Sequence, residues 1–170
     1  VETGLIIAVP EAELAVRHHR ATLDSSAAHG VPAHVTVLYP FLKPTEITPT
    51  VLEILSHTIG RYEAFAASFA EVAWFGDSVC WLKPEPAQRF RELTLAVCEA
   101  FPGFKPYGGE HDDVVPHLTV GHDHPLPVLQ AAAQDVTAAL PVHASVTHVR
   151  LMARTEANWY TLCEFPLRAR

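Results

Sequence analysis

Two short stretches decide how this chain is read: His34-Val35-Thr36-Val37-Leu38-Tyr39 and His117-Leu118-Thr119-Val120. Both are apolar and β-branched enough to form strands. Both carry His-x-Thr. In a strand, residues i and i+2 share a face. Each stretch therefore sets an imidazole beside a hydroxyl, with Val35 and Leu118 turned the other way into a core.

Working outward, the elements flanking the first stretch recur around the second. A buried strand is expected over Leu5–Val9. A helix follows, running from Pro10 to about Asp24 with acidic residues in its first turn. After the His34–Tyr39 strand, Thr48-Pro49 reads as cap and helix start, with Leu52, Leu55 and Ile59 as the apolar stripe. Phe65–Trp74 is expected as a strand. A turn at Gly76-Asp77 opens the second half, with a strand over Val79–Leu82 and a helix over about Pro86–Phe101. A long loop precedes the His117–Val120 strand, and a helix covers about Pro127–Leu140. His143–Leu151 reads as one alternating strand that pairs, through a turn at Glu156 to Asn158, with Trp159–Phe165.

Both halves thus read strand, helix, strand, helix, strand. The offset is 74 from Leu5 to Val79, 83 from His34 to His117 and 78 from Phe65 to His143. Residues 1–170 are expected to form a single bilobal domain, since no Gly/Ser-rich or charged linker divides it. Two pseudo-symmetric lobes would bring both His-x-Thr pairs into one cleft.

Such a cleft suits a phosphodiester. Phosphoryl transfer needs a base for the attacking oxygen and an acid for the leaving one, placed on opposite sides of phosphorus. His34 and His117 fit those roles. Thr36 and Thr119 can donate to the non-bridging oxygens. Neither step calls for a metal or a cofactor.

Composition limits the substrate. The chain has 170 residues, 49% hydrophobic and 18% charged, with 19 acidic side chains against 12 Lys and Arg and a net charge of -7. Long nucleic acid is not expected, because sequence-blind binding needs basic surface. Cys80, Cys98 and Cys163 form no CxxC pair, which argues against a disulfide scaffold or a Cys-based zinc site. No apolar run approaches the ~18 residues of a membrane span. No signal-peptide pattern is read at the start, and a cytoplasmic monomer is expected.

Most of the 11 His are background. His18 and His19 are adjacent on a helix and diverge. His57, His143 and His148 have no local companion, and no HExxH signature supports zinc. His111-Asp112-Asp113 reads as a solvated acidic loop. Gly108-Gly109 lacks the rest of a P-loop. The candidate pocket residues are Tyr39, Phe41, Tyr107, His122, Trp159 and Tyr160. Tyr39 follows the parity of Val35 in a regular strand. Tyr107 is a candidate for stacking on a base. Trp159 and Tyr160 are expected to divide between cleft and core. Arg150 and Arg154 read equally well as phosphate helpers or as solvated strand-edge side chains.

The paired motifs resemble the signatures of the two-histidine phosphoesterase superfamily, and His34 to Phe41 (HVTVLYPF) resembles its bacterial 2′-5′ RNA ligase and cyclic phosphodiesterase-like branch. That resemblance spans nearly the whole chain. It implies an α+β fold with two pseudo-symmetric lobes, largely antiparallel sheets lining a central cleft and helices outside. It also implies hydrolysis of a 2′,3′-cyclic phosphate or a related diester, with 2′-5′ RNA ligation in some members. His34 and His117 match the catalytic positions, and Thr36 and Thr119 the phosphate-holding ones. Many relatives read HxTxxR at the second motif, where this chain has His122. With the charge of -7, this favours a small cyclic nucleotide or a short RNA end. The alternative is a catalytically quiet nucleotide- or RNA-binding protein on the same fold.

Overall fold

A computed structural model describes residues 1–110 and 113–170. His111 and Asp112, read above as part of a solvated loop, lie outside the described residues. The first half comprises β1 (Thr3–Ala8), α1 (Glu13–Leu23), α2 (Ser25–Ala28), β2 (His34–Leu38), α3 (Pro49–Gly60) and β3 (Phe65–Phe75). The second comprises β4 (Val79–Glu85), α4 (Ala87–Ala100), β5 (Leu118–His122) and α5 (Leu126–Thr137), then β6 (Val142–Val146), β7 (His148–Arg154) and β8 (Trp159–Pro166). Local chemistry sets several boundaries. The Thr48 hydroxyl accepts from the Val51 amide at 3.3 Å, capping α3 just before Pro49. Asp24 is extended (φ -125°, ψ 108°) and accepts from the Ser26 amide, so it ends α1 and starts α2.

The strands form two four-stranded sheets, ordered β2-β1-β7-β8 and β5-β4-β3-β6, antiparallel at every pairing. The α+β class and the paired antiparallel sheets match the expectation. The composition of the lobes does not. In each sheet the third strand comes from the other half of the chain. β3 pairs with β4, as Val72 with Leu82, and β7 pairs with β1, as Leu5 with Leu151. The stretch expected as one strand over His143–Leu151 is two strands in different sheets. Val146 pairs with Phe65, the chain changes sheet at Thr147, and Ile6 then pairs with Arg150. The buried positions reverse phase there, from Val142, Ala144 and Val146 to Val149 and Leu151.

One buried cluster joins both sheets. It includes Leu5, Ile7 and Leu151 from the first, Phe69, Leu82 and Leu118 from the second, and Val16, Leu55, Phe90 and Leu129 from helices. Each such side chain removed from water contributes roughly 1.5–3 kcal/mol. α1 packs against β5, and α4 against β2, so each half supplies a helix to the other's motif strand. β2 and β5 are edge strands of their sheets and contact each other, which brings the two His-x-Thr segments together. Among the described residues, no helix is long and apolar enough to cross a membrane.

Candidate active site

A matched irregularity shapes both motif strands. In β2 the register passes from Ile6 opposite Thr36 to Leu5 opposite Leu38, leaving Val37 as an extra residue. In β5 it passes from Trp81 opposite Thr119 to Cys80 opposite Gly121, leaving Val120 extra. These are β-bulges, and each shifts the inside-outside phase by one residue. Val37 and Leu38 are both buried, and Tyr39 returns to the His34 side. Val120 and Gly121 are likewise buried, and His122 joins His117 and Thr119. Regular parity placed Tyr39 with Val35, and the bulge reverses that. The Val37 carbonyl accepts from the buried Thr94 hydroxyl of α4 at 2.8 Å.

The two motif histidines are held alike. His34 Nδ1–H donates to the Pro32 carbonyl at 2.8 Å, and His117 Nδ1–H to the Val115 carbonyl at 2.7 Å. A carbonyl only accepts, so the hydrogen is assigned to Nδ1 and the lone pair of the neutral ring to Nε2. Burial pushes the His34 imidazole down to about 4, against the upward pull of the Pro32 bond; the Arg20 charge adds to the fall, Asp24 opposes it, and His117 adds to it again. Among the described residues, three rings lie around His117. Phe75 lies edge-on at 5.1 Å, Trp81 at 5.9 Å, and Tyr107 is stacked at 5.8 Å. The Tyr107 hydroxyl reaches the Val115 carbonyl at 3.3 Å, and burial pushes its phenol up to about 12. Tyr107 thus packs on the histidine itself.

The cleft between the motif strands holds two adjoining cavities. The first, about 480 Å³, is lined by His34, Thr36, Tyr39, Arg154 and Trp159. The second, about 660 Å³, is lined among the described residues by His117, Thr119, Tyr107, His122 and the carboxylates Asp113 and Asp123. They meet where Ser25 Oγ, in the first, comes within 3.5 Å of His122 Nε2, in the second. His122 Nδ1 lies 2.8 Å from Asp123 Oδ2. Phe41, a candidate pocket wall, lines neither cavity. It is buried against Phe101 and Phe104, each at 5.1 Å, because the chain leaving α4 delivers two rings onto it. Trp159 lines the first cavity, while Tyr160 points to solvent rather than to the core. Arg150 pairs with Glu164 away from both cavities.

One group beside the site was not anticipated from sequence. Arg20 and Asp24 are 2% and 4% exposed, and Arg20 Nε donates to Asp24 Oδ2 at 3.1 Å. Arg20 also donates to the Val31 carbonyl at 3.1 Å. The Asp24 carboxylate accepts from the Ser26 amide at 3.0 Å and hydroxyl at 2.7 Å, and its Oδ1 lies 3.5 Å from His122 Nε2. Burial alone would raise this carboxyl, but Arg20, the Ser26 bonds and His34 together hold it below the usual range. The i,i+4 spacing of Arg20 and Asp24 and the Asp-Ser-Ser cap were available as signals. Among the described residues, no three His, Cys, Asp or Glu side chains cluster as metal ligands would.

Similar folds occur in solved structures. TT0787 of Thermus thermophilus has a similar fold, with a TM-score of 0.69 and 18% identity over 100% of both chains. LigT of E. coli, solved in complex with 3′-AMP, gives a TM-score of 0.59 and 18% identity over 98% of this chain and 97% of that one. LigT solved with NADP+ gives 0.54 and 21% identity over 98% and 97%. At such identities the likeness is one of fold. No curated protein matches the sequence at a significant level. The model of the 2′-5′ RNA ligase superfamily matches residues 8–158, a span that contains both His-x-Thr strands and the bulge after each. The chain belongs to the 2′-5′ RNA ligase superfamily.

Proposed function

We propose that the protein is a metal-independent phosphoesterase that opens 2′,3′-cyclic phosphates, or related small nucleotide and RNA-end diesters, by acid-base catalysis between His34 and His117. The observation that carries this reading is the matched pair of imidazoles at the starts of contacting edge strands, each bonded through Nδ1 to the carbonyl two residues before it. One imidazole takes a proton from water as the water oxygen bonds to phosphorus. The other enters the step protonated at Nε2 as well as Nδ1 and gives its Nε2 proton to the ribose oxygen as the bond from that oxygen to phosphorus breaks. Thr36 and Thr119 donate to the non-bridging oxygens. The same groups can serve formation or cleavage of a 2′-5′ linkage, with a ribose hydroxyl in place of water. LigT of E. coli was solved with 3′-AMP and with NADP+, and ligands of that chemical class fit this proposal.

The test is turnover of a panel of 2′,3′-cyclic nucleotides and short cyclic-phosphate RNA ends in EDTA. Wild type is expected to turn over at least one member. His34→Ala and His117→Ala are each expected to lose roughly 10²–10⁴-fold, the range for a general acid or base. Undiminished turnover in both variants would sink the assignment.

A further inference from the structure

We propose that substrate lies across the site with one polarity: the nucleoside occupies the first cavity against Trp159 and Tyr39, and the second admits water but not a second phosphodiester strand. This rests on the phosphoesterase reading and gives it a direction, opening of a terminal cyclic phosphate rather than joining of two strands.

The two cavities differ in what they offer a base. Beneath the first lies a small apolar cluster separate from the main core. It is formed by Ile6, Val31 and Met152, 6%, 8% and 3% exposed, with Trp159 packed on it. Trp159 and Tyr39 meet edge to face at 5.9 Å and make no other ring contact among the described residues. Both line the cavity that also holds His34 and Thr36. An apolar floor, aromatic walls and a few convergent polar groups are what a base and ribose require. At about 480 Å³ the space lies within the usual range for small ligands. In the second cavity the aromatic rings already have partners. Phe75 and Tyr107 pack on His117, and Phe75 stacks on Trp81 at 4.7 Å.

Charge separates the cavities further. Among the described residues, the first is lined by His29 and Arg154 and by no carboxylate, although Arg154 shares its charge with Glu2 at 3.3 Å. The second carries Asp113 and Asp123, and the one further imidazole on its described lining besides His117 is His122, already beside Asp123. A strand entering there would bring phosphates against these carboxylates in a partly enclosed space, where repulsion is less screened than in bulk water. Water meets no such barrier. In hydrolysis its oxygen joins phosphorus, one ribose oxygen leaves on the nucleoside side, and the proton lost by water balances the proton gained by that oxygen.

The experiment measures binding, so it does not depend on turnover. Calorimetry with 3′-AMP is expected to show Trp159→Ala weakened about tenfold or more, the scale of a lost base stack. Tyr39→Ala, a second variant on the same cavity, is expected to weaken in the same direction. Asp113→Asn is expected to stay within about twofold. Far-UV circular dichroism checks that each variant is folded. Anisotropy then compares, in His34→Ala, equal-length oligonucleotides that end in a 2′,3′-cyclic phosphate or carry a central 2′-5′ linkage. The terminal cyclic phosphate is expected to bind about tenfold tighter, with the gap narrowing when Asp113→Asn and Asp123→Asn are added. Wild-type affinity for 3′-AMP in both aromatic variants, equal affinity for the two oligonucleotides, or no binding of 3′-AMP would overturn the inference. EDTA-resistant turnover lost in the histidine variants would, in each of those outcomes, leave the phosphoesterase reading standing.

Discussion

The Pro32 and Val115 carbonyls each decide which nitrogen of the motif imidazole beside them holds the hydrogen. His34 adds a second constraint. Its imidazole is pushed down to about 4, against an ordinary 6.5, chiefly by burial. Above about pH 6.5 the ring is neutral in both the folded and unfolded chain. As pH falls from there to about 4, the unfolded chain takes a proton that the folded one refuses, so stability is lost. The loss is on the order of 2 kcal/mol. Urea unfolding at pH 7 and pH 5 is expected to show this decline in wild type and a smaller one in His34→Gln. Asp24→Asn is a harsher change. It leaves the Arg20 guanidinium buried with a neutral partner, and removing one member of such a pair costs about 3–5 kcal/mol. A urea midpoint close to wild type would contradict that cost. The motif His and Thr were legible in the sequence because i,i+2 geometry is local. Arg20, Asp24 and Phe41 were not, since their burial depends on α2, on the Val31 carbonyl and on rings from the segment after α4.

The β-bulges explain most of what element-level reading missed. Strict alternation holds from His34 to Thr36 and from His117 to Thr119, and then one inserted residue reverses it. Nothing in Val37-Leu38 marks an insertion. Gly121 does carry a signal. A Cβ built there would lie 2.8 Å from Leu23 Cβ and 3.0 Å from Leu129 Cδ2, so α1 and α5 close over a position with no room for a side chain. Gly121→Ala is expected to destabilise by about 1–3 kcal/mol through overpacking. The strain falls next to His122, so a calorimetric midpoint should drop even though the change adds only a methyl group. An unchanged midpoint would show that Leu23 and Leu129 can part without cost. The break between β6 and β7 was likewise visible as two successive polar residues, Thr147-His148, within an otherwise alternating run. Both pieces still read as strands, so only the pairing partner was lost.

At the scale of the whole molecule, that partner is the nonlocal fact. The repeat in the sequence suggests two lobes built from consecutive halves, and local propensity carries no instruction that β3 should leave β1 for β4. The observed exchange gives the first sheet two strands, β7 and β8, from the second half and the second sheet one, β3, from the first, and α1 and α4 cross as well. Neither half then owns a complete sheet. Residues 1–76 would expose the β4-facing edge of β3 and the β7-facing edge of β1, and would lose the covering of Val37 by α4. Unpaired edges and an opened core are costly, so unfolding is expected to be cooperative across both sheets. The tryptophans provide the readout. Trp74 and Trp81 report on the second sheet and Trp159 on the first. With the other tryptophans replaced by Phe, fluorescence of Trp159 and of Trp81 should give the same urea midpoint, coincident with far-UV circular dichroism. Separate midpoints would mean that the lobes unfold independently despite the exchanged strands. Coincidence would tie His34 and His117 to one folding unit, so that a variant loosening either sheet disturbs both sides of the site at once.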